Sequence, residues 1–241
     1  MMSSKSSKRN IVILGNGKSL ELYDSQSHKD ALVIGCNVPP ENTKIDFVCA
    51  VDAYAISHAY RINMPFHHRL KEGWKLVLGP RACNGLLGTK DIPGGSSTLF
   101  DHLKKEGHFY KKFDLIDAVK DVGQRYFSSG HLAFLFACSD YPGAEIDIYG
   151  FDSLFTGSIR SKTKSLIRDG KTEYKRSSPG SSQETPDPTA KEWLWLWDKM
   201  FNSDLNTSEK IRAHGYEHDP TLEIISPSLE VVRHKKQNEK L

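Results

Sequence analysis

Along the first 155 positions, short apolar runs alternate with polar stretches, and a turn-forming or polar residue stops each run. Residues 11–14 (IVIL) end at Gly15, residues 31–35 (ALVIG) lead into Cys36-Asn37, and residues 47–51 (FVCAV) end at Asp52. Residues 75–78 (KLVL) end at Gly79-Pro80, and residues 145–149 (EIDIY) end at Gly150. Apolar runs of about four to six residues predict parallel strands buried on both faces. Between the last two, residues 129–139 carry apolar side chains at helical spacing, with Ser128 or Ser129 as the N-cap. A further helix is expected after the loop Gly94-Gly95-Ser96-Ser97-Thr98. The alternation predicts an α/β chain: a doubly wound, mostly parallel sheet with helices on both faces, the Rossmann-like class.

Beyond Phe155 the pattern breaks. Between Gly157 and Pro188 the sizeable apolar residues are Ile159, Leu166, Ile167 and Tyr174. From Arg160 through Arg176, the cations Arg160, Lys162, Lys164, Arg168, Lys171, Lys175 and Arg176 outnumber Asp169 and Glu173. Such a segment buries little surface, so residues 157–186 read as a mobile loop or as a lid that orders on binding. Regular structure resumes in residues 189–201 (TAKEWLWLWDKMF), a helix whose start is marked by Asp187-Pro188. Its spacing sets Trp193 and Trp197 on one face and Trp195 on another, where it could line an acceptor site. Residues 207–214 read as a second helix stopped by Gly215, and residues 222–226 (LEIIS) as a last strand. The expected organisation is a disordered N-terminus over 1–9, one α/β domain over 10–232 carrying the lid, and a charged tail over 233–241.

Composition narrows the classes. The chain has 241 residues, 38% of them hydrophobic, enough for a core in one domain. No apolar run approaches the ~20 residues of a membrane span. The N-terminus lacks the apolar segment of a signal peptide. Four cysteines without a C-x-x-C pair suit reduced, buried thiols, so the expected location is cytoplasmic. A net charge of +3 is too balanced to argue for nucleic acid by itself.

The first turn, Gly15-Asn16-Gly17-Lys18-Ser19, follows a strand and precedes a helix, where backbone N–H groups can approach an anion. It is not a P-loop, because the glycine required five residues before Gly17 is replaced by Val12, which also argues against a P-loop kinase. It is not a dinucleotide fingerprint either, since Leu20 stands at the third glycine position. A plain βα turn remains the simpler alternative. In a parallel sheet the carboxyl ends of the strands meet at one crevice, so Asn16, Asn37, Asp52 and Asp152 should converge there. Ser128-Ser129-Gly130 opens the buried helix and forms either a second anion cradle or an ordinary cap.

Three blocks in order, IVILGNGKSL (11–20), IGCN (34–37) and YFSSGHLAFLFACSDYPGAEIDIYGFDSLF (126–155), resemble the sialyltransferase-like glycosyltransferases of the bacterial and sialylmotif types. The resemblance implies a metal-independent relative of the A-type glycosyltransferase fold, and no D-x-D stands at a strand end. It implies that Gly15, Asn16, Gly17 and Ser19 hold the donor phosphate and ribose, and that Asn37 meets the nucleotide. Ser128, Ser129 and Gly130 would meet the donor sugar or phosphate, and Gly150, Phe151 and Asp152 the base and ribose. The 157–186 segment matches the family's lid, with Arg160, Lys162, Lys164 and Arg168 as its cations over the donor.

One departure concerns the general base. The family places a histidine before the helix after the lid, and this chain has Asp187 or Thr185 there. Asp187 is the candidate base, and it is equally a helix cap. His214 and His218 are the next candidates; His67-His68 and the His214/His218 pair lack ligand partners and read as solvated rather than metal-binding.

The expected function is transfer of a sugar from a nucleotide sugar, of the CMP-sialic-acid type by resemblance, to an acceptor hydroxyl. No cofactor beyond the co-substrate is expected. The acceptor would be a glycan, or, given the basic lid, a hydroxymethylated base in phage-type DNA modification with another nucleotide sugar. A catalytically inactive nucleotide- or glycan-binding module is the alternative from another class.

Overall fold

The computed structural model describes residues 9–37, 39, 43–53, 56, 57, 73–89, 98–113, 127–151, 154, 159, 160, 184, 185, 187–219 and 222–235. Eight strands form one sheet: β1 (Asn10–Leu14), β2 (Leu32–Cys36), β3 (Phe47–Ala50), β4 (Lys75–Leu78), β5 (Phe109–Lys112), β6 (Glu145–Tyr149), β9 (Lys210–Tyr216) and β10 (Leu229–His234). Their spatial order is β10-β9-β6-β1-β2-β3-β4-β5, and every pairing is parallel. A second, two-stranded antiparallel sheet pairs β7 (Ile159–Arg160) with β8 (Glu184–Thr185).

Alternation along the central strands sorts their side chains onto two faces, each buried. Ile11 and Ile13 join the core made with α3 (Ser129–Asp140) and α4 (Asp187–Phe201). Val12 and Leu14 join the opposite core with α1 (Pro80–Leu87) and α2 (Leu99–Lys105). Both covers are needed because strands this apolar would otherwise expose one face, and full burial of each such side chain contributes about 1.5–3 kcal/mol. The doubly wound α/β architecture expected from the sequence is therefore the one observed.

Several local expectations change. Residues 129–139 carry no apolar stripe against a polar back, because positions 129–138 are buried all round. The segment read as a helix over 207–214 is largely strand β9, whose buried Ile211 and Ala213 alternate with Arg212 and His214. That period of two belongs to a strand, and the polar members of the alternation masked it. Residues 222–226 form no ladder among the described residues. Leu222 and Ile224 are buried while Ile225 is 86% exposed, and the last strand lies later, running through Arg233 and His234. Helix α1 and strand β5 were not read from the sequence. The pairing Ile159↔Thr185 and Arg160↔Glu184 brings the two ends of the predicted lid together.

Candidate functional site

Strand order reverses between β1 and β6. From β1 the chain winds outward through β2 to β5, then returns to β6 on the other side and continues through β9 and β10. Ligands of open α/β sheets bind at such a switch point, outside the carboxyl ends of the strands. Here the turns after β1 and β6 press together. A Cβ on Gly15 would stand 2.3 Å from the Gly150 carbonyl oxygen, and Gly150 has φ +75 with its own Cβ site 2.8 Å from the Gly15 oxygen. Glycine is required at both positions by this contact, and at Gly150 also by the left-handed backbone.

The loop's hydrogen bonds qualify the anion-cradle expectation. Gly15 N–H donates to the Tyr149 carbonyl and Gly17 N–H to the Gly150 carbonyl, each at 2.8 Å. Ser19 is buried, and its hydroxyl oxygen accepts from Gly150 N–H at 3.1 Å. These groups lock the two turns to each other. The segment that follows is a 3-10 helix of five residues, Lys18–Leu22, rather than an α-helix.

The turns after β1 and β2 are tied together. Asn16 Nδ2 donates to the Cys36 carbonyl at 3.1 Å, one residue before Asn37. Asn37 adopts φ 58, which asparagine tolerates, and its N–H reaches the Cys49 carbonyl at 2.9 Å. Its Oδ1 accepts from the Ser129 hydroxyl at 2.6 Å, and that hydroxyl oxygen accepts from Val51 N–H at 3.1 Å. The ends of β1, β2 and β3 are thus laced to the start of α3 through neutral groups. With Oδ1 committed, the Asn37 Nδ2 donors are the part of that amide available to a ligand.

Ser128 caps α3, and its partner in the capping box is His131 in place of the usual Glu or Gln. Ser128 N–H donates to His131 Nδ1 at 3.0 Å. Burial pushes the His131 pKa down to about 3, so the ring is neutral, and the Nε2–H lies 3.3 Å from the Trp193 carbonyl. The His131 ring contacts Trp193 and Trp197, while Phe134 contacts Trp197 and Phe201. Partners advancing together along both helices make α3 and α4 parallel, so α4 starts at the same edge as Ser128. Asp187, its first residue, precedes Trp193 by about 9 Å of helix.

Other predicted positions separate. Phe151 is buried with its ring over Gly130, where a Cβ would come within 2.2 Å of it, and edge-on to Trp197, so it packs the core. Trp195 is exposed with Lys199 Nζ 4.2 Å from its ring, apart from the Trp193/Trp197 face. Arg160 lies in β7; Asp152, Lys162, Lys164, Arg168, His67 and His68 lie outside the described residues. Asp52 is exposed at the end of β3. Beside it Arg81, a residue sequence reasoning missed, donates to the Phe127 carbonyl at 3.1 Å, its Nη2 3.5 Å from the Asp52 carboxylate. The signal for Arg81 was Gly79-Pro80, a helix start directly after a strand.

All four cysteines are buried and unbonded. Among the described residues no three His, Cys, Asp or Glu side chains are grouped to hold a metal ion. No helix among them is long and apolar enough to cross a membrane. The chain matches no family model, and neither the curated proteins nor the solved structures yield a match to it.

Proposed function

We propose that the protein is a nucleotide-sugar-dependent glycosyltransferase whose donor binds at the β1/β6 switch point. The observation that carries this reading is the lacing of Asn16, Asn37 and Ser129 across three strand ends and one helix start. It presents amide donors and a helix N-terminus at the edge where α/β sheets bind nucleotides. The resemblance of residues 11–20, 34–37 and 126–155 to sialyltransferase-like enzymes adds the donor class, a CMP-linked sugar.

In this reading Asn37 Nδ2 and the first turn of α3 meet the donor, and the basic segment between β7 and β8 stabilises the departing phosphate. The glycosidic bond breaks with oxocarbenium-like charge on the sugar. The nucleotide phosphate leaves with the bonding electrons, and the acceptor oxygen attacks as the Asp187 carboxylate takes its proton. Stabilising the leaving group is the largest contribution. Because Gly15, Gly17 and Ser19 are spent on the turn, they shape the site without contacting the phosphate through those groups.

A thermal-shift series with CMP, UDP, GDP and their sugars tests the reading, since a ligand of the folded state raises Tm. One nucleotide should stabilise the wild type and not Asn37→Ala; no shift with any of them would overturn the assignment. Donor hydrolysis without acceptor separates an enzyme from an inactive binding module. Asp187→Asn should then cut turnover by about 10²-fold or more with donor affinity retained. Unchanged turnover would remove Asp187 as the base.

A further inference from the structure

On the sheet face away from α3, residues scattered over the chain form a charged and aromatic column. Register sets Asp147 of β6 opposite Arg212 of β9, and Val232 of β10 opposite His214. Asp147 Oδ1 lies 2.8 Å from His214 Nε2, and His214 Nδ1 lies 2.9 Å from His234 Nε2. Asp147 and His214 are buried, and the His214 ring stacks on Tyr149 at 4.0 Å.

The surroundings are ionisable on every side. From β6, Glu145 pairs with Arg212, which also donates to Asp147 Oδ2 at 3.0 Å. From β10, Glu230 pairs with Lys210 and lies 4.0 Å from Arg212 Nε. From the segment after β1, His28 Nε2 lies 2.8 Å from the Tyr149 hydroxyl and stacks on Tyr23, with Asp24 beside it, and Glu21 accepts from the Tyr216 hydroxyl at 3.1 Å. At the turn after β9, His218 stacks on Tyr216 and Asp219 accepts the Tyr216 N–H.

Proton counting shows what this chain of groups can hold. An ionised Asp147 requires an N–H at His214 Nε2. In the neutral imidazole Nδ1 is then an acceptor, so His234 Nε2–H donates to it. One added proton makes His214 an imidazolium donating to Asp147 and to His234, whose tautomer shifts so that Nε2 accepts. Both states keep the chain intact. A second added proton places two N–H groups against each other across 2.9 Å with no lone pair between them, and the contact must open.

We propose that Asp147, His214 and His234 form a proton-operated latch that holds the edge strand β10 on β9 and releases it when both imidazoles are charged. β10 is the element free to respond, because it pairs with β9 alone and no described residue pairs with its outer edge. The electrostatics agree in sign. Burial, then the charge of His214, holds His234 below the ordinary histidine value. A detached β10 therefore binds more protons, and attachment weakens as pH falls below the ordinary value of about 6.5.

Hydrogen exchange over residues 229–234, corrected for intrinsic rates and measured on the full chain at about pH 7.5 and about pH 5, tests the latch. Protection of β10 should fall at least tenfold more than that of β1. In His234→Gln, whose amide donates to His214 Nδ1 and cannot take a proton, that excess loss should vanish. Equal pH sensitivity in wild type and variant, or none in wild type, would overturn the latch. Should the variant lose β10 at neutral pH, nitrogen chemical shifts of the wild-type imidazoles decide instead. Release must follow the second imidazole titration; release with the first, or with neither, refutes it.

Discussion

The two halves of the sheet satisfy buried polar groups by opposite means. On the β1–β3 side, Asn16, Asn37 and Ser129 are neutral and bond chiefly to backbone at the strand ends. On the β6–β10 side, Asp147, Arg212 and Glu145 are ionised and answered by other side chains. A neutral lattice keeps its geometry across the physiological pH range and leaves donors for a ligand. A charged one is tied to its protonation state, because removing one member strands the charge of another. The difference separates the proposed binding edge from the proposed responsive one within a single sheet.

The largest effect expected from breaking that contrast is at Asp147. Asp147→Ala should cost about 3 kcal/mol, the low end for a buried pair because Arg212 retains Glu145. Urea unfolding at neutral pH measures it. Burial opposes ionisation of Asp147, but the His214 hydrogen bond and Arg212 outweigh it, so the carboxyl titrates below its ordinary value. Its stabilisation is therefore present above about pH 4 and lost as pH falls through the lower folded value. The gap between wild type and variant should close in that acid range.

Gly150→Ala comes next, at about 2–4 kcal/mol, from the left-handed backbone and the Cβ pressed on the Gly15 carbonyl. A melting curve unchanged by this substitution would mean the two turns are not in contact. Ser129→Ala strands the Val51 N–H and one side of Asn37, for about 1–3 kcal/mol. Unlike the loss at Asp147, this one should not close as pH falls through about 4, since no titrating group is involved. The smallest stability change, about 1 kcal/mol, is expected at Asn16→Ala, which removes one half-buried bond. That variant should nonetheless lose the nucleotide-induced rise in Tm, and a retained shift would move the donor away from the switch point.

The amino-acid sequence by itself determined the central strands, the buried helix after Ser128 and the α/β class, because apolar runs bounded by Gly, Pro or Asn report burial locally. It also put the turns that carry Asn16 and Asn37 at one edge, since in a parallel sheet the residue after each strand falls at one end. The proposed latch was illegible for a physical reason: a partly buried Arg212 or a buried His214 looks solvent-facing until its partner is known, and Asp147 lies 65 and 67 positions away from them. For the same reason β9 read as a helix, and Ser19 and Phe151 read as ligand contacts although one holds a turn and the other fills the core. Local pattern encodes which backbone is buried; only the assembled sheet decides which polar side chains are spent on holding it together and which remain to act.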